Sequence, residues 1–132
     1  MFSRLNRNWV KWTVFVLVIL TMLSCNFVES FFESEPPIDL AGEWYNSVTT
    51  TVTTIVWEDD EFRVVSMYDT EDQEDRPITF SEWDGTRITW SYYLESNGLT
   101  ITYTMTSLVG DNLNCDWVNT NNATGTRTLT RR

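Results

Sequence analysis

Large apolar residues and small polar residues alternate with a period of two through most of residues 40–132. Residues 99–106 show this without a break, because Leu, Ile, Tyr and Met alternate with four threonines. The run 87–94 repeats the pattern, and Asn97-Gly98 between the two runs favours a tight turn. Such alternation is typical of a β-strand with one buried face, so the two runs predict a hairpin.

The same pattern predicts eight strands, separated by turns that are acidic or rich in Asn and Gly. Every connection is short, so consecutive strands are expected to pair as antiparallel neighbours. A meander of this size has two unpaired edges, and closing it removes both of them. We therefore expect an all-β domain over residues 40–132, folded as an eight-stranded antiparallel up-and-down β-barrel. The approximate strand ranges are 42–48, 51–58, 61–68, 77–83, 86–94, 99–108, 113–119 and 125–131.

One face of each strand is expected to point into the barrel. A barrel of eight strands encloses enough room to be filled by side chains or to hold one small ligand. The aromatic side chains of the inner face therefore either line a pocket or simply fill the core. The predicted inner residues are Trp44, Ile88, Trp90, Tyr92, Leu94, Leu99, Ile101, Tyr103, Met105, Leu113, Cys115 and Trp117.

The first 24 residues have the pattern of a secretory signal peptide. Arg4, Arg7 and Lys11 precede a short apolar run, Thr13–Leu23, which is well under the length that a membrane-spanning helix needs. The sequence Met22-Leu23-Ser24-Cys25 that ends the segment resembles the lipobox of bacterial lipoproteins. A plain signal peptide, an uncleaved anchor and a Cys25–Cys115 disulfide remain open as alternatives.

The lipoprotein resemblance implies cleavage before Cys25 and acylation of that cysteine, for example by palmitate. The protein would then be held at a membrane of the cell envelope by its lipid. Asn26 follows the cysteine and, by the same resemblance, favours the outer membrane if the source has two membranes. Residues 25–39 are interpreted as the lipidated Cys and an acidic tether, stiffened by Pro36-Pro37.

Composition excludes several classes of function. The chain has 19 acidic and 9 basic residues, a formal charge of −10, which argues against nucleic acid as a partner. It has no His, which excludes Ser–His–Asp triads, Cys–His dyads and His-ligated zinc. The acidic runs 58–61 and 69–75 lack the spacing of a calcium loop and are interpreted as solvated turns. We therefore expect no enzyme activity, catalytic residue, metal or cofactor.

Two short motifs at opposite ends of the strand pattern resemble the calycin superfamily, and small bacterial lipocalin-like domains in particular. The first strand contains Gly42-Glu43-Trp44, a Gly-x-Trp motif, and the last strand ends with Leu129-Thr130-Arg131. The resemblance implies that Trp44 plugs the base of the barrel and that Arg131 packs across its ring. The domain is shorter than lipocalins proper, which argues against a large ligand cup.

The opening Gly42-Glu-Trp44-Tyr45-Asn46 is also similar to the start of avidins, in which the Asn reaches into the barrel toward biotin. Candidate ligand-binding residues are Asn46, from this resemblance, and Trp90, Tyr92, Tyr103 and Trp117, from the aromatic inner face. Two hypotheses of function result: a barrel that binds a small apolar or amphiphilic molecule, and a filled-core interaction domain of the cell envelope. The sequence identifies no protein partner for either.

Overall fold

The structure, a computed structural model, describes residues 34–132. The predicted signal peptide, Cys25 and most of the predicted tether lie outside the described residues. The described part is all-β and contains nine strands. Within it, no helix has the length and apolarity needed to cross a membrane.

Eight of the nine strands confirm the predicted ones to within a few residues. Their bounds are β1 Gly42–Asn46, β2 Thr51–Glu58, β3 Glu61–Asp69, β5 Ile78–Trp83, β6 Ile88–Leu94, β7 Leu99–Val109, β8 Asn112–Asn119 and β9 Thr124–Arg131. The prediction of eight strands misses β4, Glu74–Asp75, which lies in the acidic segment expected to be a turn. This short strand forms because Tyr68 and Asp69 at the end of β3 pair with it.

All strands belong to one antiparallel sheet with the order β4-β3-β2-β1-β9-β8-β7-β6-β5. The first and last long strands are neighbours, since Trp44 pairs with Arg131 and Tyr45 with Thr130. Register shifts in the β2–β3, β5–β6 and β7–β8 ladders mark bulges. Bulges of this kind bend strands and increase their twist, which curls the sheet into a half-barrel.

The predicted closed barrel has no unpaired edge, but the observed sheet has two edges. The edges are β4 and β5, which are consecutive in the chain rather than its first and last strands. Although β3 lies beside β5, no backbone ladder joins them. The Val64 amide instead donates to Oγ of Ser81 at 2.9 Å. Since a side chain takes the place of a strand partner here, the inner face is covered but the ladder is interrupted.

The concave face of the sheet carries the core. Its fully buried members come from six strands and from the segment before β1: Leu40, Trp44, Ile55, Phe62, Ile88, Trp90, Leu113, Cys115 and Leu129. Beside the seam between β3 and β5, Phe62 packs against Trp57 and Trp83, with ring centroids 4.6 and 4.9 Å apart. This aromatic cluster links β3 to β5, which no backbone ladder joins.

Trp44 occupies the end of the half-barrel where β1 begins. Its side chain is fully buried, and its indole Nε1 donates to the carbonyl oxygen of Leu40 at 2.9 Å. The guanidinium carbon of Arg131 lies 4.4 Å from the centre of the Trp44 ring, which is a cation–π distance. Strands β1 and β9 are therefore joined by side chains as well as by their short ladder.

Arg131 also holds the segment that enters β1. Its Nη1 donates to the carbonyl oxygen of Ala41 at 2.8 Å, and its guanidinium lies 3.3 Å from Asp39 and 3.4 Å from Asp111. A Cβ on Gly42 would approach Nη1 to 2.8 Å, and Gly42 has a φ of +138°. The glycine of the Gly-x-Trp motif is therefore required both by its backbone conformation and by the space that Arg131 takes.

Replacement of Trp44 by alanine tests the importance of this end of the sheet. Trp44→Ala is expected to lower the free energy of unfolding by about 3–5 kcal/mol, because a buried indole is lost and a cavity remains. Chemical denaturation followed by circular dichroism measures the change. Phe80→Ala, on a side chain that is 45% exposed, is the matched control and is expected to cost under about 1 kcal/mol. Equal midpoints for the two variants would contradict the role of Trp44.

Candidate functional site

Three adjacent strands place aromatic residues side by side on the inner face of the half-barrel. Tyr103 on β7 pairs with Trp90 on β6 and with Trp117 on β8. The rings of Trp90 and Tyr103 are stacked, with centroids 5.2 Å apart and planes 10° apart. Tyr92 stacks on the same Tyr103 ring at 6.2 Å. Four of the five predicted ligand-binding residues thus form one continuous wall.

The fifth predicted residue, Asn46, reaches this wall from β1. Its Nδ2 donates to the hydroxyl oxygen of Tyr103 at 3.3 Å, and its side chain is 1% exposed. Its Oδ1 accepts hydrogen bonds from the amides of Val48 and Thr49 in the turn that follows β1. The amide of Asn46 is therefore engaged within the protein, and its role in this structure is to anchor the β1–β2 turn against the aromatic wall.

Several polar atoms of the inner face have no hydrogen-bond partner among residues 34–132. They are Nε1 of Trp90, Nε1 of Trp117, Nε of Arg127 and Oγ1 of Thr53. Leaving a buried donor unpaired costs about 1–3 kcal/mol, so such atoms are uncommon in folded proteins. Three of the four are N–H donors on β6, β8 and β9, and we call this group the donor wall. It offers hydrogen bonds to a group that brings acceptors.

Trp117 owes its position to the neighbouring strand. It pairs with Gly125 on β9, and a Cβ at that glycine would lie 2.7 Å from the indole Nε1. The absence of a side chain at Gly125 therefore lets the indole rest on β9. The guanidinium carbon of Arg127 lies 5.2 Å from the centre of the same ring.

Sequence reasoning missed Arg127 as a site residue. It lies two and four positions before Leu129 and Arg131, so the period of two places all three on the inner face of β9. The structure agrees, with Leu129 buried and both arginines partly buried. The signal was therefore present in the alternation of the last strand.

An ion-pair network lies beside the turn that follows β1. The carboxylate of Asp69 lies 2.7 Å from Nη2 of Arg76, and the same nitrogen lies 2.6 Å from Asp72. Oδ1 of Asp69 also accepts hydrogen bonds from the hydroxyl of Thr50 and the amide of Glu71. The acidic run 69–75 is thus organised around an internal arginine. Among the described residues, no three potential ligands come together as a metal site.

The environment shifts four pKa values on the inner face. Burial alone would raise the pKa of Asp69, but the hydrogen bonds from Arg76, Asp72, Glu71 and Thr50 outweigh it and lower the pKa to about 2. Burial raises the pKa of Cys115 to about 12, so its thiol stays protonated and is a poor nucleophile. Burial also raises the pKa of Tyr92 and Tyr103, while the positive charge of Arg127 opposes the rise at both hydroxyls.

The outer surface carries open clefts, one of which reaches Trp117 at the end of the aromatic wall. One of about 590 Å³ lies between Asp72 and Ser96 and is lined by four carboxylates beside Arg76. Another, of about 410 Å³, lies across β7, β8 and β9, and four threonines and Trp117 are among the residues that line it. Neither cleft includes Trp90, Tyr92 or Tyr103, so the inner face remains the place where aromatic and unpaired polar groups coincide.

Comparison of the chain with protein-family models, with curated proteins and with solved structures finds no match. A function for this chain is therefore inferred from its sequence motifs and from the geometry of the described residues.

The Asp69 network predicts a loss of stability in acid. Because the folded-state pKa of Asp69 lies below its ordinary value of 3.8, the carboxylate contributes stability above pH 4 that is lost as the pH falls toward 2. Asp69→Asn is expected to lower the free energy of unfolding by about 2 kcal/mol at neutral pH. The difference from the unaltered protein should shrink between pH 4 and pH 2 in urea denaturation.

Glu82→Gln, at an exposed position of β5, is the control. It should change neither the free energy of unfolding at neutral pH nor its dependence on pH appreciably. A gap between the Asp69→Asn variant and the unaltered protein that stays constant from pH 7 to pH 2 would contradict the assignment.

Proposed function

We propose that this protein is a lipid-anchored lipoprotein of the bacterial cell envelope whose lipocalin-like domain binds a small amphiphilic molecule on its inner face. The donor wall carries this proposal, because it combines aromatic surface with buried N–H groups that lack an acceptor. Ligand sites are commonly apolar concave surfaces with a few directed polar groups, and the inner face of the half-barrel has this composition.

The lipocalin-like assignment is supported by the environment of the Gly-x-Trp motif. In that family, the Trp of the first strand plugs the barrel and an Arg of the last strand packs across it. Trp44 and Arg131 lie in those two strands, and their side chains are in cation–π contact. The first and last long strands are also neighbours in the sheet, as an up-and-down barrel requires.

Binding is proposed in preference to catalysis. The chain has no His, and the buried thiol of Cys115 is held protonated by its surroundings. Two further ionisable groups close to the aromatic wall, Asp69 and Arg76, are bound to each other. These groups suit a site that holds a molecule without transforming it.

A filled-core interaction domain is the second candidate. This candidate is favoured by direct stacking, because Trp90 and Tyr92 both stack on Tyr103 and the rings bury much of one another's surface. Under this alternative, the unpaired donors would be tolerated as a cost to stability, and the acidic outer surface would contact another protein.

The membrane anchor rests on the lipobox-like sequence that ends at Cys25. The chain is too acidic to be attracted to anionic lipid by charge, so acyl chains on Cys25 would supply the attachment. Two or more chains hold a protein at a membrane much more firmly than one chain does.

Replacement of the candidate acylated cysteine tests the anchor. Cys25→Ser is expected to abolish incorporation of an alkyne-labelled palmitate analogue and to move the protein out of the membrane fraction. Cys115→Ser is the control, because the second cysteine is buried in the core and is not a proposed acylation site. Full labelling of the Cys25→Ser variant would contradict the anchor, and loss of labelling in Cys115→Ser alone would reassign it.

Ligand binding is tested with 1-octanol and octanoate, using native mass spectrometry and tryptophan fluorescence. At least one of the two is expected to bind with a stoichiometry of one and to change the emission. Trp90→Phe keeps an aromatic ring but removes the indole donor, so affinity should fall by about tenfold. Trp83→Phe, in the Phe62 cluster away from the donor wall, is the matched control and should leave affinity unchanged. If neither compound binds, the filled-core alternative is favoured.

A further inference from the structure

Arg127 differs in its pairing from the other partly buried arginines of the described residues. Arg76 binds Asp69, Asp72 and Glu74, and Arg131 binds Asp39 and Asp111. Arg127 forms no ion pair within the part of the chain that the structure describes. In a protein with 19 acidic residues, a partly buried arginine without a carboxylate is unusual because burial of an unpaired charge is costly.

The hydrogen bonds of Arg127 are equally incomplete. A guanidinium has five N–H donors, and within residues 34–132 only Nη1 has an acceptor, the carbonyl oxygen of Thr126 at 2.7 Å. Its Nε is buried without a partner among the described residues, and its guanidinium carbon lies 5.2 Å from the centre of the Trp117 ring. The side chain is therefore held in place by an aromatic contact while most of its donors stay available.

The surroundings of Arg127 supply further donors that an anion would use. Trp117, beneath the guanidinium, has an unpaired Nε1, and Trp90 has another on the far side of Tyr103 in the same row of the sheet. Trp90 is 1% exposed, so bulk water does not satisfy its indole. Cation and N–H donors with no fixed acceptor form the complement of a carboxylate or phosphate oxygen.

We propose that the polar end of the bound molecule is an anionic head group, a carboxylate or a phosphate monoester, held by the Arg127 guanidinium and the Trp117 indole N–H beside it. This inference rests on the proposed ligand site and specifies its chemistry. The apolar part of the molecule then lies against the aromatic wall. The acidic outside of the protein does not attract such an anion, so the selectivity comes from the interior cation and not from long-range steering.

The experiment compares four probes with the same octyl chain and different heads: octanoate, octyl phosphate, 1-octanol and octylamine. Affinities are measured at pH 7 by native mass spectrometry and by tryptophan fluorescence on the full chain. Octanoate, octyl phosphate or both are expected to bind at least about tenfold more tightly than 1-octanol, and octylamine more weakly than 1-octanol. Arg127→Gln is expected to remove the preference for the anions over 1-octanol.

Two further variants separate a loss of charge from a loss of fold. Arg127→Lys retains the cation and should retain part of the preference, and Arg87→Gln removes an exposed arginine and should retain all of it. Thermal unfolding of each variant is recorded alongside. If Arg127→Gln does not fold, the anion preference of Arg127→Lys decides whether Arg127 holds the head group.

The outcomes distinguish this inference from the proposal that it refines. Equal affinity for 1-octanol and the anions, or an anion preference that survives in Arg127→Gln, overturns the anionic head group and leaves the ligand site standing. Failure of all four probes to bind overturns both.

Discussion

The contact between the Trp44 indole and the Arg131 guanidinium joins the beginning and the end of the described sheet. Only two residue pairs connect β1 to β9 in the ladder, so side chains supply much of what holds these strands together. The same guanidinium binds the backbone of the segment entering β1 and two carboxylates. Without this junction the sheet would have its first and last strands as further edges, and the inner face would lose the curvature that makes it concave.

Electrostatic pairing divides the arginines into structural and available groups. Those at the two ends of the inner face are surrounded by carboxylates and backbone carbonyls, and they tie turns to strands. Arg127 lies between these ends on an aromatic ring and keeps most of its donors free of protein acceptors. Among the described residues, no carboxylate pairs with this cation, although the protein is rich in acidic residues. A partly buried charge without a partner lowers stability, and such costs are characteristic of binding sites.

The inner face combines two properties that oppose each other in an ordinary core. Stacked rings favour tight packing and exclusion of water, whereas unpaired indole and guanidinium N–H groups favour contact with an acceptor. Packing alone explains Trp90 and Tyr103 as core residues, but it does not explain why three donors on β6, β8 and β9 lack partners. The proposed amphiphile would reconcile the two, because its apolar part would meet the rings and its head would meet the donors.

Local sequence determined the strands, because alternation of apolar and polar residues reports which side chains share a face, and it correctly placed Trp90, Tyr92 and Tyr103 inside. The same rule applied to β9 would have placed Arg127 there as well. Only the tertiary structure decided where the edges lie, since β3 and β5 meet through Ser81 and an aromatic cluster rather than through a ladder. It alone showed that Arg127 lacks a carboxylate and that Asn46 is engaged in a turn, because partners distant in sequence meet only once the sheet has curled.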